Sequence, residues 1–376
     1  MGCPAGSAGG GGRAKRWLRL VSVGDAALRP CIAPERDTAV DGHDGQKCRT
    51  RPGRTRAENS RKGSAVAAVT VIGAGVVGLS VAHEFADAGH DVTVVHAPPD
   101  PLDASPLAGA VWFPYGVGLD PDTLAWSQRT RARLEELADV PGTGVVCRRG
   151  TYVERVPDAD RSWCIDLPGY TEVAAGNLPS GARSAFQAVL PVVDMPRYLA
   201  WLRERCVGRG VGFRVERLDA ESVAALRGPV VVAAGLRSAA LVSDDSPPFP
   251  TRGQVVRVRN AGLTDWYIDE HHPDGMVYVI PRLDDVVCGG TADEGDWNTD
   301  VDPAAEHAIL DRAAKVVPAV AGLPIVSRGA GARPSRDGIR LGRVGDDVYA
   351  CYGHGGAGVS LSWGSAEAIV RLVLRG

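Results

Sequence analysis

Two glycine-rich runs carry the first chemical possibilities. Gly73, Ala74, Gly75, Val76, Val77 and Gly78 form a G-x-G-x-x-G run directly after the apolar stretch Ala68–Ile72. The first glycine permits a tight turn, the second lets backbone approach a pyrophosphate, and the third lets helix and strand pack closely. A helix starting here offers unpaired N–H groups and a partial positive charge to an anion. The spacing alone is weak, but in this strand-to-helix setting a dinucleotide is the expected ligand. A second run, Gly353, His354, Gly355, Gly356, Ala357 and Gly358, leads into an apolar segment at Val359 and Ser360. Bare N–H groups and a helix dipole there suit developing negative charge, such as the N1–O2 edge of a reduced flavin, and Ser360 could add a hydroxyl donor. Taken alone, this run also reads as a glycine turn packing a helix on a sheet.

Particular elements must position these loops. Residues 68–72 and 91–95 read as buried parallel strands, joined by a helix that ends near Gly89. His96 stands where a ribose-binding acid usually ends the second strand. Asp100 and Asp103 could substitute, but they read more simply as solvated loop residues. Helices are expected over 122–138 and 194–208, and strands over 188–193, 211–216 and 230–233, with Gly235 closing the last. From Gly253 the pattern changes to alternating strands over 254–258, 266–269, 276–280 and 286–288, which suit a mixed sheet covering a substrate. A helix near 303–316, a strand near 324–332 and a final helix from about 358 to 374 complete the chain. The expected fold class is α/β. A Rossmann-like dinucleotide-binding domain (mainly 66–250 and 325–376) is interleaved with a mixed-sheet substrate domain (mainly 251–324).

Composition excludes some roles. The chain has 376 residues, 44% hydrophobic and 23% charged, and mean hydropathy is near zero. No uninterrupted apolar run reaches the roughly 18 residues that span a bilayer, so no membrane partner is expected. Residues 1–67 carry 13 Lys plus Arg against 6 Asp plus Glu. That basic head lacks a motif, interleaved aromatics or an amphipathic helix, so no nucleic-acid partner is expected. Residues 1–65 read as a disordered extension, with 17–23 the only candidate for order. A sharper reading starts translation near Val66, and N-terminal sequencing of the native protein tests it. The eight cysteines show no C-x-x-C or ligand spacing. They read as free thiols of a cytoplasmic protein, and no metal is expected.

A family resemblance then becomes specific. The stretch from Tyr352 through the glycine run to Ala366 is similar to the C-terminal signature of D-amino-acid oxidases. Leu107 through Tyr115 resembles that family's segment after the second strand. Arg252, Gly253 and Gln254 resemble its turn into the substrate sheet. Gly275 through Arg282, with Cys288, Gly289, Gly290 and Thr291, resembles its active-site hairpin. The likeness covers roughly residues 67–376, in the family's order. One departure is Ala350, where the family has a His.

The resemblance implies FAD as cofactor. It would be held by Gly73, Ala74, Gly75, Val76, Val77, Gly78, Ser105, Gly109, Ala110, Val111, Val215, Gly235, Gly355, Gly356, Ala357, Gly358, Val359 and Ser360. It implies that Arg333 grips the substrate α-carboxylate with its planar fork. Tyr278 would hold the same carboxylate, and the Gly356 carbonyl would accept from the amine. No residue is needed as acid or base, because the lone pair of a neutral amine pushes hydride from Cα to flavin N5. Neutral D-amino acids would give 2-oxo acids and ammonia, with O2 reduced to hydrogen peroxide. On residue type alone, Arg333 also reads as a surface strand-end Arg and Tyr278 as a half-buried strand aromatic. His271 and His272 sit in a turn-like loop and read as solvated. The short segment 271–275 implies an abbreviated lid.

Rival readings remain at this stage. A D-aspartate oxidase needs a second cation, for which Arg282 or Arg336 could serve. A glycine or sarcosine oxidase is more distant. A non-catalytic flavin-binding protein is the reading from another class. Assembly as a homodimer is left open.

Overall fold

The computed structural model describes residues 67–242 and 246–375. The expectations for residues 1–65 and for a start at Val66 lie outside them. The chain opens with β1 (Ala68–Ile72), α1 (Val76–Asp87), β2 (Asp91–His96), α2 (Pro121–Ala138), β3 (Val145–Glu154), β4 (Thr171–Glu172), β5 (Ser184–Val193) and α3 (Met195–Gly208). Next come β6 (Gly212–Val215), α4 (Ala220–Ala224), β7 (Val230–Val232), α5 (Ala239–Val242), β8 (Phe249–Arg259), β9 (Trp266–Asp269), β10 (Val277–Pro281) and β11 (Asp285–Gly289). Last are β12 (Asp293–Glu294), α6 (Pro303–Val316), β13 (Ile325–Ser335), β14 (Arg340–Gly345), β15 (Val348–Tyr352) and α7 (Gly358–Leu374). Local chemistry starts several helices. Asp120 accepts from the backbone N–H of Asp122 and Thr123 ahead of Pro121, and Asp302 caps Ala304 ahead of Pro303.

The first sheet runs β14-β15-β7-β1-β2-β6, parallel except for β14. Its strands are valine-rich because both faces are covered. Val71 and Val94 pack with Phe85, Cys206 and Ile369 from α1, α3 and α7. Val230 and Val232 pack with Val223 and Leu241 from α4 and α5. Strand order reverses at β1, with β2 on one side and β7 on the other, which opens a crevice beyond the strand ends.

The second sheet has nine strands, ordered β12-β8-β11-β10-β9-β3-β5-β4 with β13 also on β8. Phe186 and Trp266 share one core with Leu134, Tyr198 and Trp363 from α2, α3 and α7. Val256, Val279 and Cys288 pack instead with Ile309 and Ala313 of α6. This division corrects the expected boundaries. Residues 145–154, 171–172 and 184–193 fall within the range expected to be mainly dinucleotide-binding, yet they form β3, β4 and β5 of the second sheet, and β13 joins that sheet too. A buried apolar run suits either a parallel or a central antiparallel strand, and its partners are not written in it.

Residues Gly355–Leu374 are long and apolar enough to cross a membrane, with mean hydropathy 1.2 in the best window. Two-thirds of that window, 67%, is buried within the fold, where α7 packs on α1 and α2.

Candidate active site

Both glycine loops open on one cavity of about 510 Å³, within the ordinary range for a small-molecule site. One end is the turn after β1. Gly73 adopts φ +115°, and a Cβ there would stand 2.4 Å from the Ala233 carbonyl oxygen after β7. A Cβ on Gly78 would stand 2.0 Å from the Gly73 carbonyl oxygen. Only glycine fits either place, as expected for a turn that presents a helix N-terminus. Gly75 caps α1 with extended backbone and no side-chain cap. Ser105 crosses above it, its Oγ accepting from the Val76 N–H at 3.2 Å.

Strand β2 ends on His96 rather than on an acid. His96 lines the cavity, but its Nδ1 lies 2.9 Å from the Ala97 carbonyl oxygen and its Nε2 is enclosed without a partner. Asp100 is not a free loop charge. It pairs with Arg237, and its carboxyl is held below the ordinary carboxylate value, first by the Leu102 N–H. Asp103 lines the cavity, 3.6 Å from Arg237.

At the other end, the floor is a product of β-strand periodicity. Alternate residues of a strand share a face. Ile268 and Glu270, Met276, Tyr278 and Ile280, Gly253 and Val255, and Gly331 and Arg333 all line the cavity. Arg333 lies over Gly253, where a Cβ would come within 2.4 Å of its Nη atoms. Its Nη1 donates to the Thr291 carbonyl at 3.0 Å. The Tyr278 ring lies over Gly289, where a Cβ would meet its Cζ at 2.1 Å. Burial raises the Tyr278 hydroxyl pKa, and the Arg333 guanidinium beside it pulls it part of the way back. Tyr115 packs against Gly356, with Arg333 Cζ 5.9 Å from its ring centroid.

Most of the expected residues meet here. Gly73, Ala74, Gly75, Val76, Val77, Ser105, Gly109, Ala110, Val111, Gly235, Gly355, Gly356, Gly358, Val359 and Ser360 line the cavity together with Tyr278 and Arg333. Gly78 and Ala357 do not: Gly78 packs under the cavity-lining Gly73, and Ala357 is fully buried. Val215 departs from expectation. It ends the edge strand β6, is 63% exposed and does not reach the cavity. The Ser360 hydroxyl is also not a free donor, because it donates to the Phe113 carbonyl at 2.7 Å and accepts its N–H at 2.9 Å. His271 and His272 do not line the cavity, matching the loop reading. His354 lines it, and burial pushes its pKa down to about 4, so the ring is neutral at ordinary pH.

Glu270 was not singled out from the sequence. It lines the cavity, and the Tyr152 hydroxyl donates to its Oε2 at 2.7 Å. Burial pushes its pKa up to about 7. The signal was present in the alternation of Ile268 and Glu270, which puts the half-buried acid on the cavity-lining side one step past the strand.

The glycine cradle, the strand-order reversal and the second loop at Gly355 fit FAD. Comparisons agree with this geometry. Residues 68–372 match the DAO family of FAD dependent oxidoreductases, and the chain belongs to that family. It is 38% identical over 317 residues to a D-amino-acid oxidase of Rubrobacter xylanophilus, covering 83% of this chain and 97% of the relative. It is 30% identical over 333 residues to human D-aspartate oxidase, covering 82% and 94%. Among solved structures, a glycine oxidase from Geobacillus kaustophilus has a TM-score of 0.70 at 21% identity, covering 82% of this chain and 95% of that one. That last likeness speaks for the α/β fold alone.

Proposed function

We propose that this enzyme oxidises D-amino acids to 2-oxo acids, releasing ammonia and hydrogen peroxide. The carrying observation is that Arg333 and Tyr278 stand together on the floor of the cavity that also holds both glycine loops. A guanidinium fork and a phenol there suit an α-carboxylate, and a hydrogen bond to such a charge contributes roughly 1.5–3 kcal/mol. The carbonyl of Gly356, on the loop that leads into α7, accepts from the neutral amine. FAD held by the glycine loops would supply the acceptor for the hydride leaving Cα; the imine left behind takes up water to give the 2-oxo acid and ammonia, and O2 would take the electrons as hydrogen peroxide. Holding the carboxylate and the amine fixes which face of Cα is presented, so handedness is a matter of orientation.

The D-aspartate alternative gains no support from its two candidate cations. Arg282 is buried in an ion pair with Asp285 at 2.6 Å, away from the cavity. Arg336 donates to the backbone carbonyls of Ser246 and Gly338 and does not line the cavity either.

The test is a peroxide assay with D- and L-amino acids, D-aspartate, glycine and sarcosine, on protein whose flavin absorbance has been checked. Peroxide from neutral D-amino acids and none from their L-enantiomers is expected. Faster turnover of glycine or sarcosine than of D-alanine would overturn the reading, as would silence across the D-amino acids.

A further inference from the structure

We infer that Glu270 is a side-chain selector that favours D-amino acids carrying a cation, such as D-lysine and D-ornithine, over neutral ones of equal length. This rests on the D-amino-acid reading above and extends it. Neutral substrates share the carboxylate and amine grips, and Glu270 adds a preference on top of them.

Three observations carry it. First, Glu270 lines the same cavity as Arg333 and Tyr278, at the β9–β10 connection, so a substrate anchored at Arg333 extends within its field. Tyr115 lines the cavity with them; burial raises its hydroxyl pKa, which Arg333 then lowers and Glu270 raises. Second, the carboxyl lies half-buried on the cavity wall without a counter-ion. Its partner is the neutral Tyr152 hydroxyl, and no ion pair holds it among the described residues. The adjacent Asp269 is different, since Arg155 clasps it through Nε and Nη2 at 2.8–3.0 Å. Third, the other cations lining the cavity are committed elsewhere. Arg237 pairs with Asp100, and Arg203 stacks on Phe213.

A half-buried carboxylate without a cation is partly desolvated, and a ligand that brings a cation to it completes the pairing. The penalty also appears as the raised pKa of Glu270, caused first by burial. A substrate ammonium reaching Oε1 or Oε2 makes a charge-assisted hydrogen bond, whereas a side-chain carboxylate meets like charge. The same residue therefore argues against D-aspartate and D-glutamate.

The test compares kcat/KM of the flavin-loaded enzyme at pH 8 for D-lysine, Nε-acetyl-D-lysine, D-norleucine and D-glutamate. D-lysine is expected to exceed both the acetylated form and D-norleucine by at least about tenfold, the scale of one charged hydrogen bond. In Glu270→Gln the ratio of D-lysine to D-norleucine should fall toward about one, while D-glutamate gains. The wild-type comparison needs no variant, so it stands even if Glu270→Gln does not fold. D-norleucine turned over as well as D-lysine overturns the inference alone. So does a Glu270→Gln variant that loses both substrates in equal proportion, which would place Glu270 at the amine or in the scaffold. No turnover of any D-amino acid overturns the oxidase reading, and this inference with it.

Discussion

Arg333 is one basic residue among many, and nothing in its type marks it. Its environment does. Gly253 leaves room for the guanidinium, the Thr291 carbonyl takes one donor, and Tyr278 stands beside it. Arg333→Ala removes the planar donor and leaves the Tyr278 hydroxyl as the remaining carboxylate contact. We expect kcat/KM for D-alanine to fall by about ten- to a hundredfold or more, mostly through KM, while flavin absorbance is retained. Steady-state kinetics on the flavin-loaded variant checks this, and near-normal turnover would move the carboxylate site elsewhere. At this scale the motif residues were legible because their spacing is unusual. Glu270 was not, because an acid after a strand is ordinary until the neighbouring strands enclose it.

At the scale of elements, the turn from β1 into α1 is the tightest constraint on the site. Its glycines are steric requirements: a Cβ at position 78 meets backbone oxygen at 2.0 Å, and backbone cannot swing aside as a side chain can. Gly78→Ala must push α1 away from β1. We expect a stability loss of roughly 1–3 kcal/mol from overpacking and at least tenfold weaker FAD binding, because the helix N-terminus moves with the turn. Urea unfolding of the apoprotein and fluorescence titration with FAD measure the two effects separately. Unchanged FAD affinity would show that the close packing does not position the cradle. The elements themselves were largely readable. The helices over 121–138, 195–208, 303–316 and 358–374 and strand 266–269 lie where the hydrophobic pattern put them, within a residue or so. Strand β3 and the antiparallel pair β14–β15 were not anticipated, because Arg148, Arg149, Arg340 and Arg343 interrupt their apolar pattern.

Over the whole molecule, two titratable groups lining one cavity set opposing pH dependences. Burial holds His354 down to about 4 from an ordinary 6.5. Between those values the unfolded chain binds the proton and the folded chain does not, so stability is lost as pH falls from about 6.5 toward 4. Burial raises Glu270 from an ordinary 4.5 to about 7. Over that range the folded chain keeps the proton and the unfolded chain does not, so its contribution is lost as pH rises from about 4.5 toward 7. The slopes oppose one another where the windows overlap. We expect His354→Asn to leave stability falling with pH more steeply than in the parent across pH 4.5–6.5, and Glu270→Gln to leave it rising more steeply. Urea midpoints of the apoproteins through that range decide this. Profiles parallel to the parent's in both variants would show that neither group changes its proton affinity on folding.

By itself the sequence determined the dinucleotide turn and the α/β class, and its resemblance to a known family pointed to the second glycine loop and to Arg333 and Tyr278. The turn and the class depend on short-range spacing and hydrophobic pattern, which the chain carries locally. Only the tertiary structure decided that β3, β5 and β13 join the second sheet, that Val215 faces solvent and that the Ser360 hydroxyl is spent on Phe113. It also decided that Glu270 shares a cavity with Arg333. Strand partners, the direction a side chain faces and the absence of a counter-ion all depend on residues far apart in the chain. No local pattern records them until the sheets have paired and closed over the site.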